Sequence, residues 1–100
     1  MAEAGFTDSG NGSWLLEGEL DYYTVPEVLA RSAQRMTGAG AIQVDLKGVT
    51  RADSAGLALL LAWLRDAERA GRSISFVNVP AQLQSIARVC GLEEILPLSH

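Results

Sequence analysis

The chain has 100 residues, 48% of them hydrophobic, and a formal net charge of −4. That length sets one domain and limits burial to about 60–70% of the unfolded surface, which leaves little room for an enclosed substrate pocket beside a core. The hydrophobic content is too high for a disordered chain, and Lys47 with arginines scattered among twelve acids forms no basic stripe, which argues against nucleic-acid binding.

Residues 6–8 give a short strand signal. Ser9, Gly10, Asn11 and Gly12 then mark a hairpin turn, because glycine and asparagine tolerate positive φ. Residues 13–20 alternate, with Trp14, Leu16, Gly18 and Leu20 on one side and Leu15, Glu17 and Glu19 on the other, the pattern of a half-buried strand. Asp21 ends it as a turn or cap residue. Tyr22 and Tyr23 fit two roles, packing over the sheet edge or lining a partner surface. A helix begins at Thr24. Pro26 sits in its first turn, where the missing N–H is harmless, and Glu27 suits the positive end of the dipole. Val25, Val28, Leu29, Ala33 and Met36 form its inward stripe, and Gly38 and Gly40 end it.

Residues 41–46 form a short apolar strand through Ile42, Val44 and Leu46, and Gly48 starts the turn after it. Ser54 caps a second helix that runs to Ala70 and stops at Gly71. Residues 73–77 form another strand, with Ile74 and Phe76 in one phase and Val77 in the other. Pro80 opens a third helix, with Leu83, Ile86, Ala87 and Val89 or Cys90 inward, and Gly91 ends it. The tail carries Ile95, Leu96 and Leu98 and is expected to pack back on the domain. The order β-β-α-β-α-β-α predicts an α/β fold with a mixed sheet: an antiparallel N-terminal pair, then parallel strands joined by right-handed crossovers.

Little in the chain suits catalysis. Cys90 is the only cysteine, so neither an intrachain disulfide nor a cysteine-based metal cluster can form. It is expected to be a small buried residue near a helix end. His100 is the only histidine and the last residue, a poor place for a catalytic base or a metal ligand. No catalytic residue, metal site or cofactor is therefore assigned. The N-terminus lacks the charged-then-apolar order of a signal peptide, and no apolar run approaches the roughly 20 residues that span a bilayer. The chain reads as soluble and cytoplasmic.

The informative stretch surrounds Ser54. Arg51-Ala52-Asp53-Ser54-Ala55-Gly56 places a hydroxyl at a helix start, just after a strand. One role is the cap alone. The other keeps the cap and adds a contact, since this is the edge where α/β proteins usually put ligands. A phosphate there would meet helix N–H groups and would add roughly −1.5 to −2 charges beside Asp53. A nucleophile elbow would need a histidine base that the chain does not offer, and no phosphate-cradling loop is present. After Ser54, residues 57–64 are apolar throughout. Leu57, Leu60, Leu61 and Leu64 supply one stripe, and Leu59, Ala62 and Trp63 fall beside or opposite it. Either the core-facing side is wide, or a second apolar face awaits a partner with Trp63 as its anchor. Arg65, Asp66, Glu68 and Arg69 restore a polar surface, so an exposed patch would lie in the first two turns. Arg51, Asp53, Ser54, Leu57, Ala58, Leu59, Ala62 and Trp63 are the candidate partner-binding residues.

Two segments together resemble a STAS domain, the module of anti-sigma-factor antagonists and of sulfate-transporter tails. One is Leu16-Glu17-Gly18-Glu19-Leu20-Asp21 with Thr24, Pro26 and Leu29; the other is Asp45-Leu46-Lys47-Gly48-Val49-Thr50 with Asp53-Ser54-Ala55-Gly56-Leu57. The resemblance covers nearly the whole chain. It implies a single STAS domain over residues 1–100, a four- to five-stranded sheet with helices mainly on one face, and a non-enzymatic role. Two branches of the family are in view. In the antagonists, the position that falls on Ser54 is a serine or threonine phosphorylated by a partner kinase. The other branch is the small STAS subunit of the Mla phospholipid-transport system of Gram-negative bacteria, which binds an ABC-transporter ATPase. The bare short domain, Arg51 before the Asp-Ser pair, and the leucine-rich run at residues 58–63 resemble that subunit. Antagonists more often carry a second Ser or Thr and a further glycine where this chain has Ala55 and Ala58. The expectation is thus a cytoplasmic subunit, peripheral to the inner membrane through its partner. It would bind and regulate the ABC ATPase of a phospholipid transport system that maintains outer-membrane lipid asymmetry. The alternative is an anti-sigma-factor antagonist switched at Ser54 by an anti-sigma kinase.

Overall fold

Asn11 and Gly12 take φ of 55° and 79°, the left-handed pair that a tight two-residue hairpin requires, and they fold the first strand back on the second. The computed structural model describes residues 3–36 and 40–96. Its elements are β1 (Ala4–Gly10), β2 (Ser13–Leu20), α1 (Val25–Arg35), β3 (Ala41–Ala52), α2 (Ser54–Arg69), β4 (Ser73–Val77) and α3 (Ala81–Val89). The sheet order is β1-β2-β3-β4. β1 pairs antiparallel with β2, whereas β2–β3 and β3–β4 are parallel. The element order and the mixed sheet agree with the sequence expectation, with four strands among the described residues.

One face of the sheet carries the core. Phe6, Trp14, Leu16, Leu20, Val44, Leu46, Ile74 and Phe76 are buried there beneath the helices. α1 lies against β1, α2 against β3 and β4, and α3 against α2 and β3. An aromatic row runs through this layer: Phe6 stacks on Trp14 at 4.7 Å between ring centroids, Trp63 lies 5.3 Å from Phe6, and Phe76 lies 6.4 Å from Trp63. The opposite face holds Thr7, Gln43, Lys47 and Ser73, all exposed. Polar-out alternation of this kind is what a sheet covered on one side requires.

Four expectations need correction. β3 does not turn at Gly48 but continues to Ala52. Two bulges explain the misreading. β3 has one extra residue between the pairs Leu15–Asp45 and Glu17–Gly48, and another between Gly18–Val49 and Glu19–Arg51. Each bulge resets the alternation, so burial passes from Leu46 to Val49 to Ala52. Gly48 is small because it packs on Glu17, whose Cγ would lie 2.9 Å from an added Cβ. In α1, Ser32 is buried and Ala33 is exposed. In α3, Leu83 and Ala87 are buried, while Val89 is 87% exposed and Cys90, the C-cap beyond them, is also exposed. In the tail, Leu96 is buried and Leu92 half-buried, but Ile95 points to solvent. Gly38, Leu98 and His100 lie outside the described residues. Among those described, no helix is long and apolar enough to cross a membrane.

Candidate partner-binding site

Parallel pairing of β2 and β3 brings two loops to one edge of the sheet. Leu20 sits opposite Ala52 in register, and the Asp53 N–H donates to the Leu20 carbonyl at 3.2 Å. The segments that follow, Asp21 to Thr24 and Asp53 to Ser54, therefore leave the sheet side by side.

The first loop is held by a reciprocal cap. Asp21 Oδ1 accepts the N–H of Tyr23 at 2.8 Å and of Thr24 at 2.9 Å. Thr24 Oγ1 accepts the Asp21 N–H at 3.0 Å and donates to the Glu19 carbonyl at 2.8 Å. Each side chain satisfies the other's backbone donor, the logic of a capping box, in the turn that precedes α1, so Asp21 is the turn residue of the two roles expected of it. The consequence is that Tyr22 and Tyr23 stand clear of the sheet, 79% and 83% exposed. Their rings meet edge to face at 5.8 Å. Of the two roles open to them, packing over the sheet edge is excluded.

The second loop corrects the reading of Ser54. The cap of α2 is Asp53, in the extended conformation that an N-cap needs, and its Oδ1 accepts the Ala55 N–H at 2.8 Å. Ser54 is the first residue of the helix, is exposed, and its hydroxyl has no hydrogen-bond partner among the described residues. Since Asp53 does the capping, the Ser54 oxygen is left free. Arg51 and Asp53 are exposed beside it. From the far side, Gln82 of α3 accepts the Ala52 N–H at 3.0 Å and ties the edge together. Glu19, Leu20, Asp21, Arg51, Ala52, Asp53 and Gln82 line an open cleft of about 360 Å³, with three carboxylates against one guanidinium.

The apolar run of α2 is placed differently from the expected docking face. Leu57, Leu59 and Trp63 are buried, at 4%, 0% and 3% exposure. Gly56 sets the roll of the helix. A Cβ there would lie 3.2 Å from Leu20 Cβ and 3.4 Å from Ala52 Cβ, so the first turn lies directly on the sheet. The face that includes Leu59, Leu60, Trp63 and Ala67 then follows Gly56 inward. Trp63 is satisfied there, because its Nε1–H donates to Ser32 Oγ at 2.8 Å. What remains outside is a shallow strip: Ser54 and Ala58 exposed, Leu61 and Ala62 half-buried, and Arg65 exposed. The spacing Ser54, Ala58, Leu61, Arg65 is one helix face. Gly56 and Ala67, the small residues of the buried stripe, were the available sequence signal for this roll. Among the described residues, no group of three or more His, Cys, Asp or Glu is arranged to hold a metal.

The family model described as "Mlab, STAS domain" matches residues 12–97. The chain belongs to the STAS family. Among its relatives, it is similar to the anti-sigma-B factor antagonist of Staphylococcus aureus strain NCTC 8325, 30% identical over 83% of this chain and 78% of that protein. Among solved STAS-like structures, the anti-sigma factor antagonist SpoIIAA in its unphosphorylated form has a TM-score of 0.72 at 18% identity, covering 97% of this chain and 88% of that one. An anti-sigma factor antagonist from Mycobacterium paratuberculosis also has a TM-score of 0.72, at 22% identity, covering 99% and 86%. The two structures bear on the fold, and agree with the α/β arrangement of this STAS domain.

Proposed function

We propose that this STAS domain is an anti-sigma-factor antagonist that docks through the edge formed by the β2–α1 loop and the start of α2, with Ser54 as a phosphorylated switch. The observation that carries the reading is the free Ser54 hydroxyl, first residue of α2, left unengaged because Asp53 caps the helix. The likeness to a curated antagonist supports it. A kinase would find this oxygen accessible. A phosphate would bring roughly −1.5 to −2 charges to a rim that already carries Glu19, Asp21 and Asp53. The Ala55 N–H is occupied by Asp53, so the phosphate would project outward and oppose a close-fitting partner. The mechanism needs no catalytic residue, metal or cofactor from the domain itself. Incubation with the cognate kinase and ATP, read by intact mass, should add one phosphate to the wild type and none to Ser54→Ala. The phosphorylated protein should lose binding that Ser54→Ala retains. No phosphate on Ser54 would overturn the switch.

A second reading, an ATPase-binding subunit of a phospholipid ABC transporter, is favoured by the description of the matching family model. Its docking would rest on Ser54, Ala58, Ala62 and Arg51, since Leu59 and Trp63 are core residues. An adjacent ABC ATPase and permease gene would support it; an adjacent histidine-kinase-like ATPase gene would support the first. Either partner would place the domain in the cytoplasm.

A further inference from the structure

β3 outruns its neighbour. Its ladder with β4 ends at the pair Asp45–Val77, yet β3 continues to Ala52. Successive N–H groups of a strand point to opposite edges. The Asp53 N–H reaches β2, where it donates to the Leu20 carbonyl at 3.2 Å. The Ala52 N–H therefore points the other way, to the edge that β4 has left. Ala52 is 1% exposed, and a buried N–H needs an acceptor. Gln82 Oε1, from the first turn of α3, takes the place of the missing strand carbonyl at 3.0 Å. Its neighbours hold it there. Val79 and Leu83 are buried on either side of it, and Gln84 Nε2 donates to the Val79 carbonyl at 2.7 Å. The end of β3 is thus pinned from both sides, by β2 through Asp53 and by α3 through Ala52.

That pin bears on which residue caps α2. Asp53 and Ser54 are adjacent, and both residue types are good N-caps. The cap falls to Asp53 because its backbone stays extended, at φ −117° and ψ −162°, and the helix starts at Ser54. An end of β3 released from α3 would let Ser54 become the extended residue and turn its own oxygen onto the first-turn amides. We propose that Gln82 is the positioning residue of the Ser54 switch: by holding the Ala52 N–H it keeps Asp53 as the cap of α2, and so keeps the Ser54 hydroxyl free for phosphorylation. Gln82 acts through Ala52 and Asp53. Its role in the switch holds only if Ser54 is phosphorylated, as proposed above; its choice of cap is a property of the fold alone.

Two substitutions separate the acceptor from the shape of the side chain. Gln82→Met keeps the length and removes the acceptor, whereas Gln82→Glu keeps an acceptor. Gln82 is exposed, and circular dichroism checks that each variant folds; Gln82→Ala replaces Gln82→Met should the latter not fold. In Gln82→Met, the amides of Ala52 and Ala55 should exchange about three- to tenfold faster, the first having lost Gln82 and the second Asp53. Amides of the β1–β2 ladder should not change. Gln82→Glu, in about 0.5 M salt to screen its added charge, should stay within about twofold of the wild type in the same salt. With the cognate anti-sigma kinase and ATP, Gln82→Met should lower kcat for phosphorylation of Ser54 about three- to tenfold and leave KM within about twofold. Unchanged exchange at Ala52 and Ala55, or faster exchange that Gln82→Glu shares, would overturn the choice of cap. An unchanged kcat would overturn the positioning role, and so would a rise in KM alone, the signature of a direct partner contact. A wild-type chain that takes no phosphate would remove the switch and Gln82's part in it, while the exchange rates still decide whether Gln82 sets the cap.

Discussion

The Ser32 hydroxyl accepts a hydrogen bond from the Trp63 Nε1–H at 2.8 Å and donates one to the Leu29 carbonyl at 2.9 Å. Both residues are buried, so the indole donor has no water to fall back on. Ser32→Ala should therefore cost about 1–3 kcal/mol, the usual result of stranding a buried donor, measured as a shift in the urea unfolding curve. A change within a few tenths of a kcal/mol, typical of an exposed serine, would show that the indole is not held this way. The same contact explains what the sequence could and could not reveal about α2. That residues 57–64 are apolar is plain. Which of them face inward is decided by Ser32, distant in the chain, and by Gly56 pressing on Leu20 and Ala52. Neither constraint is visible from helical periodicity, which accepts Leu57-Leu60-Leu61-Leu64 as readily as Gly56-Leu60-Trp63-Ala67. At Ser54 the ambiguity is chemical. Aspartate and serine are both good N-caps, and only the extended backbone at Asp53 assigns the role.

Among the elements, the β1–β2 ribbon has a backbone requirement for glycine at position 18. Gly18 has φ of +88°, and a Cβ there would lie 2.2 Å from the Glu3 carbonyl oxygen and 3.1 Å from Ala4 Cα. The neighbouring Glu19 N–H donates to that carbonyl at 2.8 Å. Gly18→Ala must then pay about 1–2 kcal/mol for the left-handed backbone and push the start of β1 away as well. A total loss of at least about 2 kcal/mol is expected from chemical denaturation, together with faster amide exchange in β1. Gly48→Ala should cost less, because its Cβ would press chiefly on the exposed Glu17 side chain, which can move. Equal losses at the two glycines would mean that backbone crowding at Gly18 is not limiting. Strands were legible where alternation is unbroken: β2 and β4 begin and end where their sequence pattern says. β3 was legible only to Leu46, because a period of two cannot be followed through two bulges.

For the molecule as a whole, alternation of strands and helices was enough to give the topology, since parallel neighbours need a crossover helix of fixed hand. The uncovered face of the sheet is less simply read, and Asp45 shows why. It lies on that face in β3. Burial pushes its carboxyl up, but the Lys47 N–H at 2.8 Å, the Asn78 amide at 3.1 Å and the Lys47 ammonium at 3.7 Å together outweigh burial and hold it below its ordinary value. Asn78 follows β4, with φ of 54°, so the carboxylate ties the end of β4 to β3. A carboxyl whose folded pKa is depressed stabilises the fold above its unfolded value, near 3.9, and loses that contribution as pH falls through the folded value. Asp45→Asn should accordingly lower the unfolding midpoint at neutral pH. The gap from wild type should hold down to about pH 5 and close progressively below about pH 4, as the wild-type carboxyl takes up its proton. Denaturant midpoints of both proteins across that range decide it. A gap that is constant with pH would assign the effect to lost packing or hydrogen bonding, and would remove charge at Asp45 as the link between the two strands.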